Sequence, residues 1–295
     1  MHSLPFVQVD VFTAKPLEGN QLAVFTDARS LTSEQMQAIA REMNFCETTF
    51  VIPNGEEPPS GLGHASKVRI FTVAEELPFA GHPTLGTAAV LRATSGSDVI
   101  WLDLRVGKIP VHFETDDAGT VFGEMQQRDP EFGSIHSRED VARCVGLARD
   151  DIRDDLPIQT VSTGLSFVIV PLRSLKVIQD LHINFHQAAE YLRHTDGKFF
   201  YFVSRETVDP RTHLHARMIF YNGEDPATGS AAGACAAWMV KYGVAQPGER
   251  VLIEQGLEIK RPSRIFVRGE REGDRVINIR VGGNTVEVAR GELNF

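Results

Sequence analysis

The sequence predicts an α/β (α+β) protein of two related domains, each a mixed, mostly antiparallel sheet wrapped around a buried helix. Three observations lead there. The stretch from Arg217 to Ala237 reads as an apolar strand, a tight turn and a helix of small residues: Ala231, Ala232, Gly233, Ala234, Ala236 and Ala237 offer little but close approach. A second stretch, from Arg69 to Ala89, aligns with it without a gap. Arg69 falls on Arg217, Glu76 on Glu224, Pro78 on Pro226, Gly81 on Gly229, and Ala88-Ala89 on Ala236-Ala237, with E-x-P-x-x-G at both turns. We read this as an internal duplication. Third, strand-like segments heavily outnumber helical ones and are not cleanly interleaved with them, which disfavours a doubly wound parallel sheet.

Residues 6–12, F-V-Q-V-D-V-F, alternate as a half-buried strand does; a turn at Leu17 to Asn20 leads into a second strand from Leu22 to Phe25. A helix follows. Thr32 and Gln35 have capping-box spacing, Leu31 and Met36 can staple its start, Met36, Ile39, Ala40 and Met43 share one face, and Asn44 ends it. Thr49 to Ile52 read as a strand, entered by Glu47 between Phe45, Cys46 and Phe50. A carboxylate in apolar company has its charged form disfavoured and its pKa raised, which suits a proton carrier near neutral pH. A glutamate facing water at a strand end fits the same spacing.

The Pro- and Gly-rich residues 53–67 read as a hairpin-tip loop before a strand from Val68 to Val73. In the turn and helix that follow, His82 takes the place Ser230 holds in the other copy. A histidine at a helix start is held neutral by the dipole and can give or take a proton; a capping or surface role is the bland alternative. Strands are expected at 99–105, 109–114 and 120–125, and the chain passes between domains around Gln127 to Phe132. The second half opens with a helix capped by Ser137. A strand at 165–171, helices near 174–181 and 184–194, and a strand at 198–203 follow. Beyond Gly243 come strands at 250–254, 264–268, 275–281 and 285–289. At the central turn, Asp225 can cap the helix and Pro226 tolerates its first turn. Gly229 and Ser230 then present free amides suited to a carboxylate or phosphate.

The totals agree with a soluble two-domain chain: 295 residues, 42% hydrophobic and 23% charged. A net charge of −9 without basic runs argues against nucleic acid as a partner. Cys46, Cys144 and Cys235 are an odd number without C-x-x-C spacing, so no disulfide framework is expected. No signal-peptide pattern or membrane-length apolar run occurs, and a cytoplasmic, membrane-free protein is expected. His213 and His215 alternate on a strand with no neighbour to complete a metal site, so a structural or surface role, and no metal, is expected.

Together these motifs resemble the phenazine-biosynthesis PhzF-like family of the diaminopimelate epimerase-like fold. The likeness runs through V-D-V-F-T (residues 9–13), L-E-G-N-Q-L-A-V-F (17–25), N-F-C-E-T-T-F (44–50), both helix-start motifs, Gln255-Gly256, Arg261-Pro262-Ser263 and the closing G-G-N-T-V-E-V-A-R-G-E-L. The resemblance implies two pseudo-symmetric domains, each a mostly antiparallel curled sheet around a central helix, with the active site in the cleft between them. It assigns residues 1–128 plus 285–295 to the first and 129–284 to the second. It places the acid/base glutamate on Glu47, the active-site histidine on His82 and the aspartate on Asp225. Substrate-binding positions fall on Gly81, Gly229 and Ser230, with Asn20 as a further cleft residue. The opposed cysteines of the fold's epimerases fall on Ala80 and Thr228, which cannot do thiolate chemistry. The expected function is a cofactor-independent isomerase acting on a small carboxylated substrate, similar to the family's dihydro-hydroxyanthranilate isomerisation, in a homodimer. A one-base amino-acid racemase or epimerase, and a noncatalytic small-molecule binding protein, are the alternatives.

Overall fold

The structure is a computed structural model that describes residues 3–53, 65–115, 119–220 and 223–295. The chain divides into two compact units, residues 1–126 with 282–295 and residues 127–281. In the first lie β1 (Ser3–Val11), β2 (Asn20–Phe25), α1 (Ser33–Met43), β3 (Glu47–Ile52), β4 (Ala65–Phe71), β5 (Glu76–Leu77), α2 (Gly81–Ser95), β6 (Val99–Leu104), β7 (Gly107–Thr115) and β8 (Val121–Gln126). The second holds β9 (Glu131–His136), α3 (Arg138–Val145), a short 3-10 turn, β10 (Ile158–Ser162), β11 (Ser166–Leu172), α4 (Leu175–Gln179), α5 (Phe185–Arg193), β12 (Phe199–Ser204), β13 (Leu214–Phe220), β14 (Gly223–Asp225), α6 (Gly229–Lys241), β15 (Val251–Gln255) and β16 (Ser263–Glu272). The last strand, β17 (Arg275–Asn294), starts in the second unit and ends in the first.

Each unit shows the expected mixed sheet. In the first, β1 pairs antiparallel with β2 and with the end of β17. β2 runs parallel to β3, β3 antiparallel to β4, and β4 parallel to β6; β6, β7 and β8 follow antiparallel. β8 pairs in turn with β17, so this sheet curls round onto itself. The second unit repeats the sequence of pairings: β10 antiparallel to β11, β11 parallel to β12, β12 antiparallel to β13, β13 parallel to β15, and β15 antiparallel to β16.

Register makes the duplication concrete. Phe50 lies opposite Arg69 and Ile70 opposite Leu77 in the first unit; Phe202 lies opposite Arg217 and Met218 opposite Asp225 in the second. The aligned Arg–Glu pairs form the same two-pronged bridge. Arg69 Nε and Nη2 donate to Glu76 at 2.8 and 2.6 Å, and Arg217 Nε and Nη2 donate to Glu224 at 2.9 and 2.7 Å. A planar guanidinium matches a carboxylate in this way, and the pair fixes the short hairpin that leads into each central helix.

Those helices are lined by small residues because the sheets leave no room. α2 packs on β1, β2, β3, β6 and β8, and a Cβ on Gly86 would sit 2.7 Å from both Leu22 and Val11 side chains. α6 packs on β10, β11 and β16 and is buried from Gly229 to Val240. A Cβ on Gly233 would lie 2.0 Å from Gln127 Oε1, whose carboxamide donates instead to the Gly229 carbonyl at 3.0 Å. Peripheral helices follow their sequence signals: Thr32 and Gln35 form both halves of the capping box, Asn44 closes α1 in the left-handed conformation, and Ser137 caps α3.

Several expectations need correction. The passage expected around Gln127 to Phe132 runs into a strand, β9, and β10 is an additional strand ahead of β11; both are short and were hidden among polar residues. The strands expected at 275–281 and 285–289 are one continuous strand. Of the loop expected at 53–67, residues 54–64 lie outside the described residues, as does Tyr221, while Ala65 to Lys67 already belong to β4. Pro226 precedes α6, whose N-cap position is held by Thr228 and not by Asp225.

His215 is fully buried in β13 between two carboxylates, with Nδ1 2.8 Å from Glu254 and Nε2 2.9 Å from Glu258. Its neighbour His213 is exposed. Burial works against charge on His215, but hydrogen bonds to Glu254 and Glu258 outweigh it and raise its pKa to about 9. A folded-state pKa above the ordinary 6.5 means that stabilisation is complete below pH 6.5 and is lost as pH rises through 9. Urea unfolding between these values should show this group removing about 1.4 kcal/mol per pH unit. His215→Gln should flatten that slope while lowering stability at pH 6.5.

Candidate active site

The first unit gathers four of the residues singled out in the sequence. β2 begins at Asn20, β3 at Glu47 and α2 at Gly81-His82. β2 and β3 run parallel with Leu22 opposite Glu47, so Asn20 and Glu47 stand at the same end of adjacent strands, where the buried helix starts. Asn20 Nδ2 lies 3.0 Å from His82 Nδ1. With the carboxamide donating there, a neutral imidazole carries its proton on Nε2, which faces Glu47 Oε2 at 3.6 Å. That separation exceeds hydrogen-bond length, and His82 Nε2 has no hydrogen-bond partner among the described residues. A buried polar nitrogen in this condition is suited to a ligand or substrate group.

Glu47 does not face water: its side chain is 14% exposed. His82 is 2% exposed, and burial lowers its pKa to about 3, against a weaker opposing hydrogen bond to the Gln21 main chain. The expected neutral imidazole is present, but desolvation rather than the helix dipole is its main cause. Gly81 contributes its main chain at the first position of α2, and Ala80, the N-cap, supplies no side-chain cap.

In the second unit Asp225 ends β14 and is 6% exposed; its Oδ2 accepts a 2.6 Å hydrogen bond from Thr228 Oγ1. Gly229 and Ser230 form the first turn of α6 and are buried. Thr228 occupies the N-cap without capping the helix, because its hydroxyl is turned to Asp225. Two residues given no chemical role by the sequence reading belong here. Gln255, at the end of β15, bonds to this turn, and Tyr201, in β12, donates to Gln255. The one sequence signal was an amide beside glycine at the end of the apolar strand V-L-I-E-Q-G. Cys235 is buried in α6 with its thiol pKa pushed up by desolvation, as packing requires.

The two copies differ where chemistry is expected. Register puts Phe199 at the position of Glu47, Leu77 at that of Asp225, and Ser230 at that of His82. Neither half repeats the other's ionisable group. Among the described residues, no group of three or more His, Cys, Asp or Glu is placed to hold a metal ion, and no helix is long and apolar enough to cross a membrane.

A model of the phenazine biosynthesis-like protein family (PhzC-PhzF) matches residues 9–291. The chain belongs to this family. It is 36% identical to trans-2,3-dihydro-3-hydroxyanthranilate isomerase of Pseudomonas aeruginosa, over 97% of this chain and 98% of that protein. A PhzF-family phenazine biosynthesis protein of Bacillus anthracis superimposes with a TM-score of 0.88 at 29% identity, covering all of both chains. A predicted epimerase of Pseudomonas aeruginosa does so at 0.84 and 35% identity, with 99% of both chains covered. Like its family, the chain is an isomerase with the diaminopimelate epimerase-like fold.

The pKa of His82 has two consequences. A folded-state pKa below 6.5 means that unfolding takes up a proton between pH 6.5 and about 3, so stability is complete above pH 6.5 and falls as pH drops through that window. The expected loss is about 1.4 kcal/mol per pH unit, absent in His82→Gln. Nitrogen-15 NMR of the imidazole should show a neutral ring at pH 5 with the proton on Nε2; an imidazolium at pH 5 would contradict the burial argument.

Proposed function

We propose that the protein moves a proton within a small carboxylated substrate, trans-2,3-dihydro-3-hydroxyanthranilate or a close analogue, with Glu47 as the acid/base group. The observation that carries this reading is the pairing of a largely buried carboxylate with a neutral, buried imidazole 3.6 Å away. Glu47 takes a proton from an acidic carbon, the double bonds shift, and the same carboxyl group returns a proton at another carbon. Nothing is oxidised or reduced, so the reaction balances without a redox cofactor. His82, held through Nδ1 by Asn20, offers Nε2–H to the carboxylate or to a substrate heteroatom. Helix starts favour negative charge, which gives Gly81, Gly229 and Ser230 the task of holding the substrate carboxylate as charge spreads into it. Asp225 orients a substrate amino or hydroxyl group. The same reading includes a homodimer and a cytoplasmic location.

A one-base epimerase is the second reading, supported by the likeness to a predicted epimerase. Ala80 and Thr228 at the helix N-caps exclude the two-thiol version.

The test is incubation with trans-2,3-dihydro-3-hydroxyanthranilate in deuterated water. NMR should show deuterium entering at carbon with a displaced double bond, and ultraviolet absorbance should change in step. Inversion at one centre without a double-bond shift would favour the epimerase, and tight binding with no exchange a binding protein. Glu47→Gln should lower kcat by about 10²–10⁴, the usual worth of a positioned acid/base group. Full turnover in that variant would remove Glu47 from the role.

A further inference from the structure

We propose that Gln255 is a positioning residue of the reaction, clamping Asp225 at its main-chain carbonyl and, through the Thr228 hydroxyl, at its carboxylate. Gln255 is completely buried at the end of β15. Its Nε2 donates to the Asp225 carbonyl oxygen at 2.8 Å and to Thr228 Oγ1 at 2.9 Å. Its Oε1 accepts from the Thr228 main-chain N–H at 3.2 Å and from the Tyr201 hydroxyl at 3.1 Å. A carboxamide has two donors and two acceptor sites, and all four are used.

The direction of these bonds matters. Because Gln255 donates to Thr228 Oγ1, the hydroxyl proton of Thr228 is left to point at Asp225 Oδ2, 2.6 Å away. A glutamate at position 255 would present oxygens to both the Asp225 carbonyl and the Thr228 hydroxyl, and that hydroxyl would turn away from Asp225. The following residue serves the same turn. Gly256 has a φ of +79°, and a Cβ there would lie 2.6 Å from the Pro226 carbonyl oxygen and 2.4 Å from that of Arg261. The strand end can therefore lie directly against the Asp225-Pro226 turn.

The first copy has no such clamp. Leu102 pairs with Ser66 as Ile253 pairs with Leu214, so Leu104 stands at the position of Gln255, just as Leu77 stands at that of Asp225. Polar residues occupy both positions only in the copy that carries the aspartate. The clamp accompanies the group it holds, and a general requirement of the fold would have placed it in both units.

The inference rests on the isomerase reading for its kinetic part, and its spectroscopic part stands without it. Thr228→Val removes the hydroxyl but keeps the other bonds of Gln255, and Gln255→Glu inverts the donors. Each should lower kcat about 10- to 100-fold, the scale of a misplaced catalytic group, while KM stays within about threefold. The double variant should be no worse than the poorer single one, since both changes break one connection. Thr228→Ser should restore turnover. Wild-type kcat in Thr228→Val, a Thr228→Ser as impaired as Thr228→Val, or additive losses in the double variant would each overturn the proposal. Should Gln255→Glu fail to fold, the Thr228 pair decides it alone. In parallel, proton NMR of the Gln255 side-chain amide should show both protons protected from solvent exchange, with Thr228→Val releasing one of them. Two freely exchanging protons in the wild-type protein would refute the clamp whatever the substrate. If protection is found and neither the wild-type protein nor any variant turns over the anthranilate substrate, the clamp stands and the substrate assignment falls.

Discussion

Everything in this protein depends on enclosing a helix within a curled sheet. A helix surrounded on all sides has no solvent-facing stripe, so it must be built from small residues, and the strands around it must carry the bulk of the core. Gly86 and Gly233 show how close the approach is: a single added carbon would meet neighbouring side chains at 2.7 Å or less. The first amides of such a helix lack acceptors within it, and here the first turns of α2 and α6 are themselves buried. Placing unsatisfied N–H groups at the end of a curled sheet costs stability unless something negative meets them. The fold thus brings together buried helix starts of the kind that favour negative charge.

On this common scaffold the two copies have diverged by single residues. The Arg–Glu bridges, the hairpin register and the helix starts are shared, because they determine where the chain goes. Glu47 against Phe199, His82 against Ser230 and Asp225 against Leu77 are not shared. Substituting an apolar residue for a buried charge removes a desolvation penalty, and the polar groups that distinguish each unit come with local partners, although His82 Nε2 is left without one among the described residues. Asn20 accompanies His82, and Gln255 with Thr228 accompanies Asp225.

Two of the buried histidines, His82 and His215, show the same rule from opposite sides. His82 has neutral hydrogen-bonding neighbours in Asn20 and the Gln21 main chain and a carboxylate beyond hydrogen-bond reach, and burial leaves it neutral. His215 is flanked by two carboxylates within 2.9 Å, and the same burial is overcome. Local partners, not depth, decide the charge. One histidine is thereby left able to donate a neutral hydrogen bond in the site, and the other is fixed as a charged link between β13 and the chain around Glu258.

The sequence by itself determined the small-residue helices, the duplication and the residues at the helix starts, because those signals are local: a glycine where no Cβ fits, a repeated E-x-P-x-x-G, a capping box at Thr32. Glu47, His82 and Asp225 stood out for the same reason, as ionisable groups in apolar surroundings or at helix starts. Only the tertiary structure decided that Asn20 bonds to His82 and that Glu47 stands beside it, since these residues are brought together by the parallel pairing of β2 and β3. It also decided the part played by Gln255, thirty residues beyond Asp225 in the chain. A hydrogen bond between residues distant in sequence leaves no periodicity to read. The short strands β9 and β10 escaped for a related reason: their state is set by pairing with each other and with β11, not by any pattern of their own.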